Sequence, residues 1–197
     1  MTSQIRRLCV YCGSGPGRDP AYMAAARALG HAMAHAGIGL VYGGGSLGLM
    51  GETARSVLQH GGVVTGIIPE FLGTKERMLD EVTDLVVVKT MHERKQLMFE
   101  RYDGFVALPG GIGTLEELAE IMTWSQLGRH AKPVILCNIA GYWSPLVALF
   151  QHMQDEAFVR EPIRQLVQTV DSAEAVVPAF LASTPGKRQA VALAAEM

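Results

Sequence analysis

Short apolar runs alternate with longer helical patterns along most of this chain, and this alternation restricts the fold more than any other feature. The runs are rich in Val, Ile and Leu and leave no polar face for solvent. Strands that are buried on both faces belong to parallel sheets covered by helices on each side. The sequence therefore predicts an α/β fold, a Rossmann-like, doubly wound parallel sheet in a single domain with right-handed crossovers.

The predicted elements occupy most of the chain. The strands are expected at residues 7–12, 38–42, 63–68, 84–88, 104–108 and 133–138. The helices are expected at residues 21–36, 47–60, 91–102, 114–127 and 144–156, with a shorter one after Pro162. Residues 70–83 are polar and weakly periodic, which indicates a loop or a short helix. We assign residues 1–183 to the domain and residues 184–197 to a C-terminal tail.

Composition and charge argue against several classes of function. The net charge is −2 and no basic run exceeds two residues, so the electrostatic signature of a nucleic-acid or membrane-surface protein is missing. No segment approaches the roughly 20 apolar residues of a membrane span, and the N-terminus lacks an apolar signal region. Three cysteines, an odd number, favour free thiols in a reducing compartment. We therefore expect a cytoplasmic protein.

Three glycine-bearing turns follow predicted strands, at residues 13–17, 43–48 and 109–114. Parallel sheets bind ligands at the carboxyl ends of their strands, so these turns are expected to converge on one crevice. Glycine lets backbone N–H groups approach a phosphate, and a helix N-terminus adds partial positive charge. Residues 43–48 also match G-x-G-x-x-G, with Glu70 about 20 residues on. Because this match follows the second strand rather than the first, it favours a phosphate contact over a dinucleotide cofactor.

The sequence allows two interpretations of Glu117, as a helix cap or as a catalytic carboxylate. Thr114 and Glu117 have the spacing of a capping box, in which the carboxylate only caps a helix. On the predicted helix, however, Glu117 lies near an apolar flank beside a glycine turn, which is a suitable place for a catalytic carboxylate. Glu116 and Glu120 are the more plausible solvent-facing pair. Position alone leaves cap and catalyst both open.

Arg94 and Lys95 follow the fourth strand, on the same edge of the predicted sheet. They are placed to bind phosphate or to polarise a leaving group, although a solvated basic pair on a helix would look the same. Cys9 and Cys12 lack a second Cys/His pair, and on a strand their thiols point to opposite faces, so zinc is not expected.

Two motifs together resemble the LOG (Lonely Guy) family. They are Pro-Gly-Gly-Ile-Gly-Thr-Leu-Glu-Glu at residues 109–117 and Met-His-Glu-Arg-Lys at residues 91–95, with further similar stretches at residues 42–51 and 121–128. The resemblance covers approximately residues 7–182. Members of the family are cytokinin riboside 5′-monophosphate phosphoribohydrolases, long mislabelled as lysine decarboxylases. The resemblance implies hydrolysis of the N-glycosidic bond of purine nucleoside 5′-monophosphates, without a metal or an organic cofactor.

The resemblance also implies roles for particular residues. Arg94 and Glu117 would be catalytic, with Glu117 stabilising the ribosyl cation or activating water and Arg94 assisting the departing base or orienting the nucleotide. The implied substrate-binding residues are Glu76, Lys95, Gly111, Ile112, Gly113, Thr114, Leu115, Glu116 and Thr123. The implied phosphate contacts in the earlier turns are Ser14, Gly44, Gly45 and Ser46. The chain departs from the family at Gly15, where a second serine is expected.

The family assembles as dimers, and some members form larger oligomers. We expect a homodimer, with the helix around Met122, Trp124 and Leu127 contributing to the interface. Two alternatives remain open: an AMP nucleosidase with the same chemistry, and a non-catalytic carrier of a nucleotide or of molybdenum cofactor on the same fold. Met23, Met91 and Met98 are candidates for lining a pocket for a prenylated base, although helix packing explains them equally well. The presence of both Arg94 and Glu117 favours the enzyme.

Overall fold

The computed structural model describes residues 6–72, 79, 81–159 and 161–183, and the statements below concern those residues. Glu76 and the tail at residues 184–197 lie outside them, so the limit of the domain at residue 183 stays a prediction. The strands are β1 (Arg7–Tyr11), β2 (Gly39–Tyr42), β3 (Val64–Pro69), β4 (Asp84–Val88), β5 (Gly104–Ala107), β6 (Val134–Cys137) and β7 (Gln168–Val170). The helices are α1 (Pro20–His35), α2 (Gly48–Gln59), α3 (Met91–Glu100), α4 (Ile112–Gln126), α5 (Ser144–Asp155), α6 (Ile163–Leu166) and α7 (Val176–Ala182).

The seven described strands form one parallel sheet in the order β4-β3-β2-β1-β5-β6-β7. The chain builds outward from β1 to β4, returns to place β5 beside β1, and then builds outward to β7. The strand order therefore reverses between β1 and β5, and such a switch point opens a crevice at the carboxyl ends of the strands. The predicted fold class, a doubly wound parallel sheet in a single domain, is confirmed.

Helices cover both faces of the sheet, and each face has its own core. Alternate β1 residues divide between them: Leu8 and Val10 pack with α1, α2 and α7, whereas Cys9 and Tyr11 pack with α3, α4, α5 and α6. This division explains why the strands carry no polar alternation. It also places the cysteine thiols of residues 9 and 12 on opposite sides, as predicted.

The structure corrects the predicted start of α2. The helix was expected to begin at residue 47, but it begins at Gly48 and its N-cap is Leu47, which makes no side-chain capping bond. The carbonyl of Gly13, in the turn after β1, accepts hydrogen bonds from the N–H groups of Leu49 and Met50, at 3.1 and 3.4 Å. A backbone carbonyl from another segment thus takes the place of a side-chain cap at the start of α2.

Two elements, β7 and α7, were not predicted. Strand β7 has three residues, of which Gln168 and Thr169 are exposed, so it shows no apolar run. Helix α7 has seven residues and contains Pro178, which weakens its helical pattern. Residues 70–72 are helical, which agrees with the short helix considered for the start of the segment at residues 70–83.

Candidate active site

A cleft of ≈ 400 Å³ opens at the carboxyl edge of the sheet, at the switch point between β1 and β5. The turns after β1, β2 and β5 meet there, together with the first turn of α3. The cleft is lined by Val10, Tyr11, Cys12, Gly13, Ser14, Gly43, Met50, Leu72, Met91, Arg94, Gly111, Ile112, Gly113, Thr114, Glu116 and Glu117. The structure thus brings residues of the three glycine turns together with Arg94 and Glu117, the two candidate catalytic residues.

Arg94 and Glu117 form an ion pair in the wall of the cleft. Arg94 Nη2 lies 3.4 Å from Glu117 Oε1, and the two side chains are only 8% and 11% exposed. A buried charge needs a partner of opposite sign, and each residue supplies it for the other. Arg94 Nε is buried and has no hydrogen-bond partner among the described residues. This N–H is therefore an unused donor next to the ion pair.

Gly43 makes room for the Arg94 side chain. A Cβ atom at residue 43 would lie 2.4 Å from Arg94 Nη2, closer than side-chain atoms approach one another. The glycine after β2 thus lets the guanidinium lie directly on the backbone and reach Glu117. Gly43 was not among the predicted site residues, since a close approach between distant segments leaves no local signal in the sequence.

Helix α3 holds Arg94 at a fixed register. Thr90 Oγ1 accepts a hydrogen bond from the Glu93 N–H at 3.1 Å, and Glu93 Oε2 accepts one from the Lys89 N–H at 3.0 Å. This reciprocal capping starts the helix at Met91 and brings the buried Arg94 to its inner face. The predicted start at residue 91 is confirmed, and the spacing of Thr90 and Glu93 in the sequence accounts for it.

Helix α4 begins two residues earlier than predicted, and this removes the capping-box reading of Glu117. The N-cap is Gly111 and the first helical residue is Ile112, so Thr114 lies inside the helix and does not cap it. Thr114 is instead buried against the turn, and a Cβ atom at Gly110 would lie 2.2 Å from its Oγ1. With this register, Glu117 lies on the buried face of α4 beside Arg94.

The N-terminus of α4 is open towards the cleft. No side chain caps it, and the first N–H groups of a helix have no partner within the helix. Gly111, Ile112 and Gly113 are exposed, and a Cβ atom added at either glycine would meet nothing within 4 Å. Free N–H groups and the positive end of the helix dipole form a pocket for an anion.

The structure does not bring Gly44, Gly45 and Ser46 to this cleft. Gly44 packs against β3, where a Cβ atom would lie 2.9 Å from the Cβ of Ile68, and Gly45 is buried. The Ser46 carbonyl accepts a hydrogen bond from Arg55 Nη1 at 3.0 Å. Of the phosphate contacts implied by the resemblance, only Ser14 lines the cleft.

Of the other substrate contacts that the resemblance implies, some lie at the cleft and others do not. Lys95 pairs with Glu116, which lines the cleft, and its Nζ lies 3.5 Å from Glu120 Oε2. Partial burial acts to lower the pKa of Lys95, but the hydrogen bond that Lys95 donates to Glu116 and the charge of Glu120 outweigh it and raise the pKa. Leu115 and Thr123 do not line the cleft, and Thr123 Oγ1 donates to the Ala119 carbonyl at 2.7 Å.

Tyr11 and Cys9 lie behind the ion pair and were not predicted as site residues. Burial raises the pKa of the Tyr11 phenol well above its ordinary value, and the negative charge of Glu117 acts in the same direction. Burial also raises the pKa of the Cys9 thiol, again reinforced by Glu117. Both groups therefore stay neutral near pH 7, which leaves Glu117 and Arg94 as the charged pair in this part of the cleft.

Of the three methionines considered for an apolar pocket, Met23, Met91 and Met98, only Met91 lines the cleft. Met50, which was not predicted, lines it as well. Met98 belongs to the core under α3, and Met23 packs against the core on the opposite face. The apolar part of the cleft is completed by Leu72 and Ile112.

No group of three or more His, Cys, Asp or Glu residues within the described ranges is arranged to hold a metal ion. Nor does any described helix have the length and hydropathy needed to cross a membrane.

Comparison with known proteins gives two kinds of similarity. The family model described as "Possible lysine decarboxylase" matches residues 50–180. A protein of Oryza sativa subsp. japonica named cytokinin riboside 5′-monophosphate phosphoribohydrolase LOG is 45% identical over 175 residues, which are 89% of this chain and 72% of that protein. The Arabidopsis thaliana protein of the same description, LOG2, is 44% identical over 171 residues, 87% of this chain and 80% of its own.

Solved structures show the same fold at low sequence identity. The molybdenum cofactor binding protein of Rippkaea orientalis has a TM-score of 0.68 and 22% identity, and the match covers 92% of this chain and 98% of that one. The molybdenum cofactor carrier protein of Chlamydomonas reinhardtii has a TM-score of 0.66 and 24% identity, covering 91% and 99% of the two chains. At this identity the likeness shows the fold alone.

Proposed function

The chain belongs to the family of the cytokinin riboside 5′-monophosphate phosphoribohydrolases, whose family model is described as a possible lysine decarboxylase, and from this membership we propose its activity. The protein is a hydrolase that cleaves the N-glycosidic bond of purine nucleoside 5′-monophosphates. The products are the free base and ribose 5-phosphate, and cytokinin-type nucleotides are the expected substrates.

The observation that carries this proposal is the buried Arg94–Glu117 pair beside the open N-terminus of α4. A nucleoside monophosphate has a dianionic phosphate close to the bond that must break. The cleft offers an anion pocket at Gly111–Thr114 and a carboxylate one helical turn further along the same helix. The spacing of the two groups on α4 therefore suits a substrate with its phosphate and glycosidic bond on one ribose.

Glu117 is proposed to act on the ribose. Cleavage passes through an oxocarbenium-like ribosyl cation, which a nearby carboxylate stabilises. Water adds to C1′, the C1′–N bond breaks, and its electron pair leaves with the base. The carboxylate takes a proton from the attacking water, the departing base accepts a proton from solvent water, and Glu117 then returns its proton to the hydroxide left in the solvent. The low exposure of Glu117 supports this role, because its charge is poorly screened by solvent there.

Arg94 is proposed to hold Glu117 and to assist the base. Its Nη2 contacts the carboxylate, while its buried Nε has no partner among the described residues and is left for a nitrogen or oxygen atom of the substrate. A guanidinium is always charged and presents several donors in fixed directions, so it can serve both groups at once.

The proposed phosphate subsite consists of the N–H groups of Gly111, Gly113 and Thr114 together with Ser14. Gly44, Gly45 and Ser46 are left out of this proposal because their backbone packs elsewhere. The apolar side chains of Met50, Leu72, Met91 and Ile112 are proposed to face the base and its prenyl group. No lysine lines the cleft, so a Schiff base with pyridoxal phosphate, as a decarboxylase would need, has no support among the described residues.

The family's dimeric state is proposed for this chain as well, with one change to the interface. Met122 belongs to the core and Trp124 packs edge-on against Phe99, with ring centroids 4.8 Å apart. Leu127 and Ile112, at the two ends of α4, are 69% and 82% exposed and are better candidates. Light scattering at micromolar concentration tests the dimer, and a monomer there would reject it. We also propose a cytoplasmic location, which the three free cysteines support.

A product assay tests the proposed activity. The purified chain is incubated with AMP, isopentenyladenosine monophosphate and the corresponding nucleosides, and release of free base is followed by chromatography. We expect release from the monophosphates and none from the nucleosides, because only the former fill the anion pocket. A higher kcat/KM for the prenylated nucleotide would support a cytokinin substrate, whereas a preference for AMP would indicate an AMP nucleosidase. No base release from any monophosphate would reject the proposal.

A further inference from the structure

A tyrosine outside the main cleft contacts the glycine turn from behind. Tyr142 Oη donates a hydrogen bond to the Gly110 carbonyl at 2.5 Å. The tyrosine lines a second, smaller cleft of ≈ 200 Å³, whose wall also includes Gly13, Gly110 and Gly111. Gly13 and Gly111 line both clefts, so the glycine turn forms the wall between them.

The segment that carries Tyr142 has an unusual backbone. Ala140 and Gly141, which follow β6, have φ values of 50° and 72°. The left-handed region is unfavourable for alanine and persists only where neighbouring contacts impose it. Asn138 is one such contact, since its Oδ1 accepts a hydrogen bond from the Trp143 N–H at 2.7 Å. This turn brings the chain back from the end of β6 towards the end of β5.

The ring of Tyr142 is also held in place. It packs edge-on against Tyr22, with centroids 5.5 Å apart, and edge-on against Trp143 at 4.8 Å. These two contacts hold the ring where its hydroxyl reaches the Gly110 carbonyl. Tyr142 therefore connects the segment after β6 to the Gly110 carbonyl through a hydrogen bond.

Fixing the Gly110 carbonyl also fixes the Gly111 N–H. The two groups belong to one planar, trans peptide unit, in which C=O and N–H point in opposite directions. A carbonyl that points to Tyr142 in the small cleft therefore turns the N–H away from it, towards the main cleft. A hydrogen bond accepted by the carbonyl also polarises the unit and makes its N–H a better donor.

We infer that Tyr142 is a positioning residue for anion binding, which holds the Gly110–Gly111 peptide so that the Gly111 N–H meets the phosphate of the substrate. This inference rests on the proposed function, because it assigns the open end of α4 to a phosphate. Tyr142 itself contacts neither the phosphate nor the reacting atoms. Its effect passes through one peptide unit.

The test compares Tyr142→Phe with Tyr22→Phe. Each variant loses one hydroxyl and keeps its ring in the small cleft, but only the Tyr142 hydroxyl has a hydrogen bond among the described residues. The dissociation constant of ribose 5-phosphate is measured by titration calorimetry, which needs no turnover. We expect it to rise roughly three- to tenfold in Tyr142→Phe, the effect of one neutral hydrogen bond, and to stay within twofold in Tyr22→Phe.

Two further readouts separate positioning from general loosening. In Tyr142→Phe, KM for the nucleotide should rise by the same factor while kcat stays within twofold, and binding of the free base should not change. The amide signal of Gly111 in the free protein should move upfield, because its peptide unit is less polarised. Equal weakening by both variants, equal loss of affinity for the free base, or an unchanged dissociation constant in Tyr142→Phe would each overturn the inference.

The same design keeps the two proposals apart. If the wild-type protein hydrolyses no nucleotide but its affinity for ribose 5-phosphate depends on Tyr142, the proposed function fails and the positioning role stands. If the wild-type protein hydrolyses nucleotides while Tyr142→Phe binds ribose 5-phosphate as tightly as wild type, the function stands and the positioning role is rejected.

Discussion

Two glycine turns at the same edge of the sheet use their glycines for opposite purposes. In the turn at residues 109–114, Gly111 and Gly113 are exposed and an added Cβ atom would meet nothing. In the turn at residues 43–48, Gly43 and Gly44 are buried, and an added Cβ atom would meet Arg94 or Ile68. The first turn keeps backbone N–H groups open to a ligand, and the second lets other parts of the protein pack against its backbone. A glycine-rich turn is therefore not by itself a phosphate site.

The largest expected effect is a loss of kcat on substitution of Glu117, which lies on α4 directly after the exposed glycine turn at residues 109–114. Glu117→Gln keeps the size of the side chain but removes the charge that would stabilise the ribosyl cation, so we expect kcat to fall by about 10²–10³-fold. The matched control is Glu116→Gln. Glu116 precedes Glu117, is half exposed and pairs with Lys95, so the kcat of this variant should change by less than about threefold. Circular dichroism should show that both variants are folded. Full activity of Glu117→Gln would leave the carboxylate with a structural role only.

The second-largest effect is expected at Gly43, where the buried glycine turn at residues 43–48 contacts Arg94. Gly43→Ala places a methyl group 2.4 Å from Arg94 Nη2, so the guanidinium must move away from Glu117. Misplacement of a catalytic group by about 1 Å can cost about 10²-fold in rate, and we expect kcat to fall by this order. Initial rates on the preferred nucleotide provide the measurement. If kcat is unchanged, Arg94 does not need its present position.

Gly44→Ala separates packing from catalysis within the same turn. The residue has φ +79°, and its Cβ atom would lie 2.9 Å from the Cβ of Ile68, away from the cleft. Left-handed strain and overpacking should lower the free energy of unfolding by about 2 kcal/mol. Urea denaturation measures this loss, while kcat and KM of the folded fraction should match wild type. A rise in KM without loss of stability would restore Gly44 as a ligand contact.

Gly111→Ala is the corresponding change in the open turn. The added methyl group meets no protein atom, so the urea midpoint should not move. It would, however, face the phosphate and lengthen a hydrogen bond to a charged group, which should raise KM by about tenfold. Measuring KM and stability on the same preparation makes the contrast with Gly44→Ala direct. The opposite result, lost stability with an unchanged KM, would mean that this turn too is a packing element.

The smallest effects concern the two serines. Ser14 lines the cleft, whereas the Ser46 carbonyl is bound to Arg55 and the residue lies outside the cleft lining. Ser14→Ala should raise KM by about threefold through the loss of one hydrogen bond, and Ser46→Ala should leave it unchanged. Equal increases in the two variants would show that both turns contact the phosphate.

The sequence predicted the main elements well and their ends less well. The strands from β1 to β6 lie within one or two residues of their predicted positions, because each contains a dense apolar run bounded by polar residues, glycine or proline. The starts of α2 and α4 were wrong. Ser46 and Thr114 are good capping residues by type, but the Gly13 carbonyl takes over the end of α2 and Gly111 begins α4. The two-residue difference in α4 removes the capping-box interpretation of Glu117, and its catalytic role stays a prediction.

The sequence by itself determined the class of fold, the edge of the sheet that carries the candidate site and, through two motifs, the family and the candidate pair Arg94 and Glu117. These depend on periodicity and on short motifs, which are local properties of a chain. Only the tertiary structure decided that Gly43 accommodates Arg94, that Gly44–Ser46 stay away from the cleft, and that Tyr142 supports the Gly110 carbonyl. Such contacts join segments that are far apart in sequence, and close approach of two backbones or side chains leaves no pattern in either segment alone.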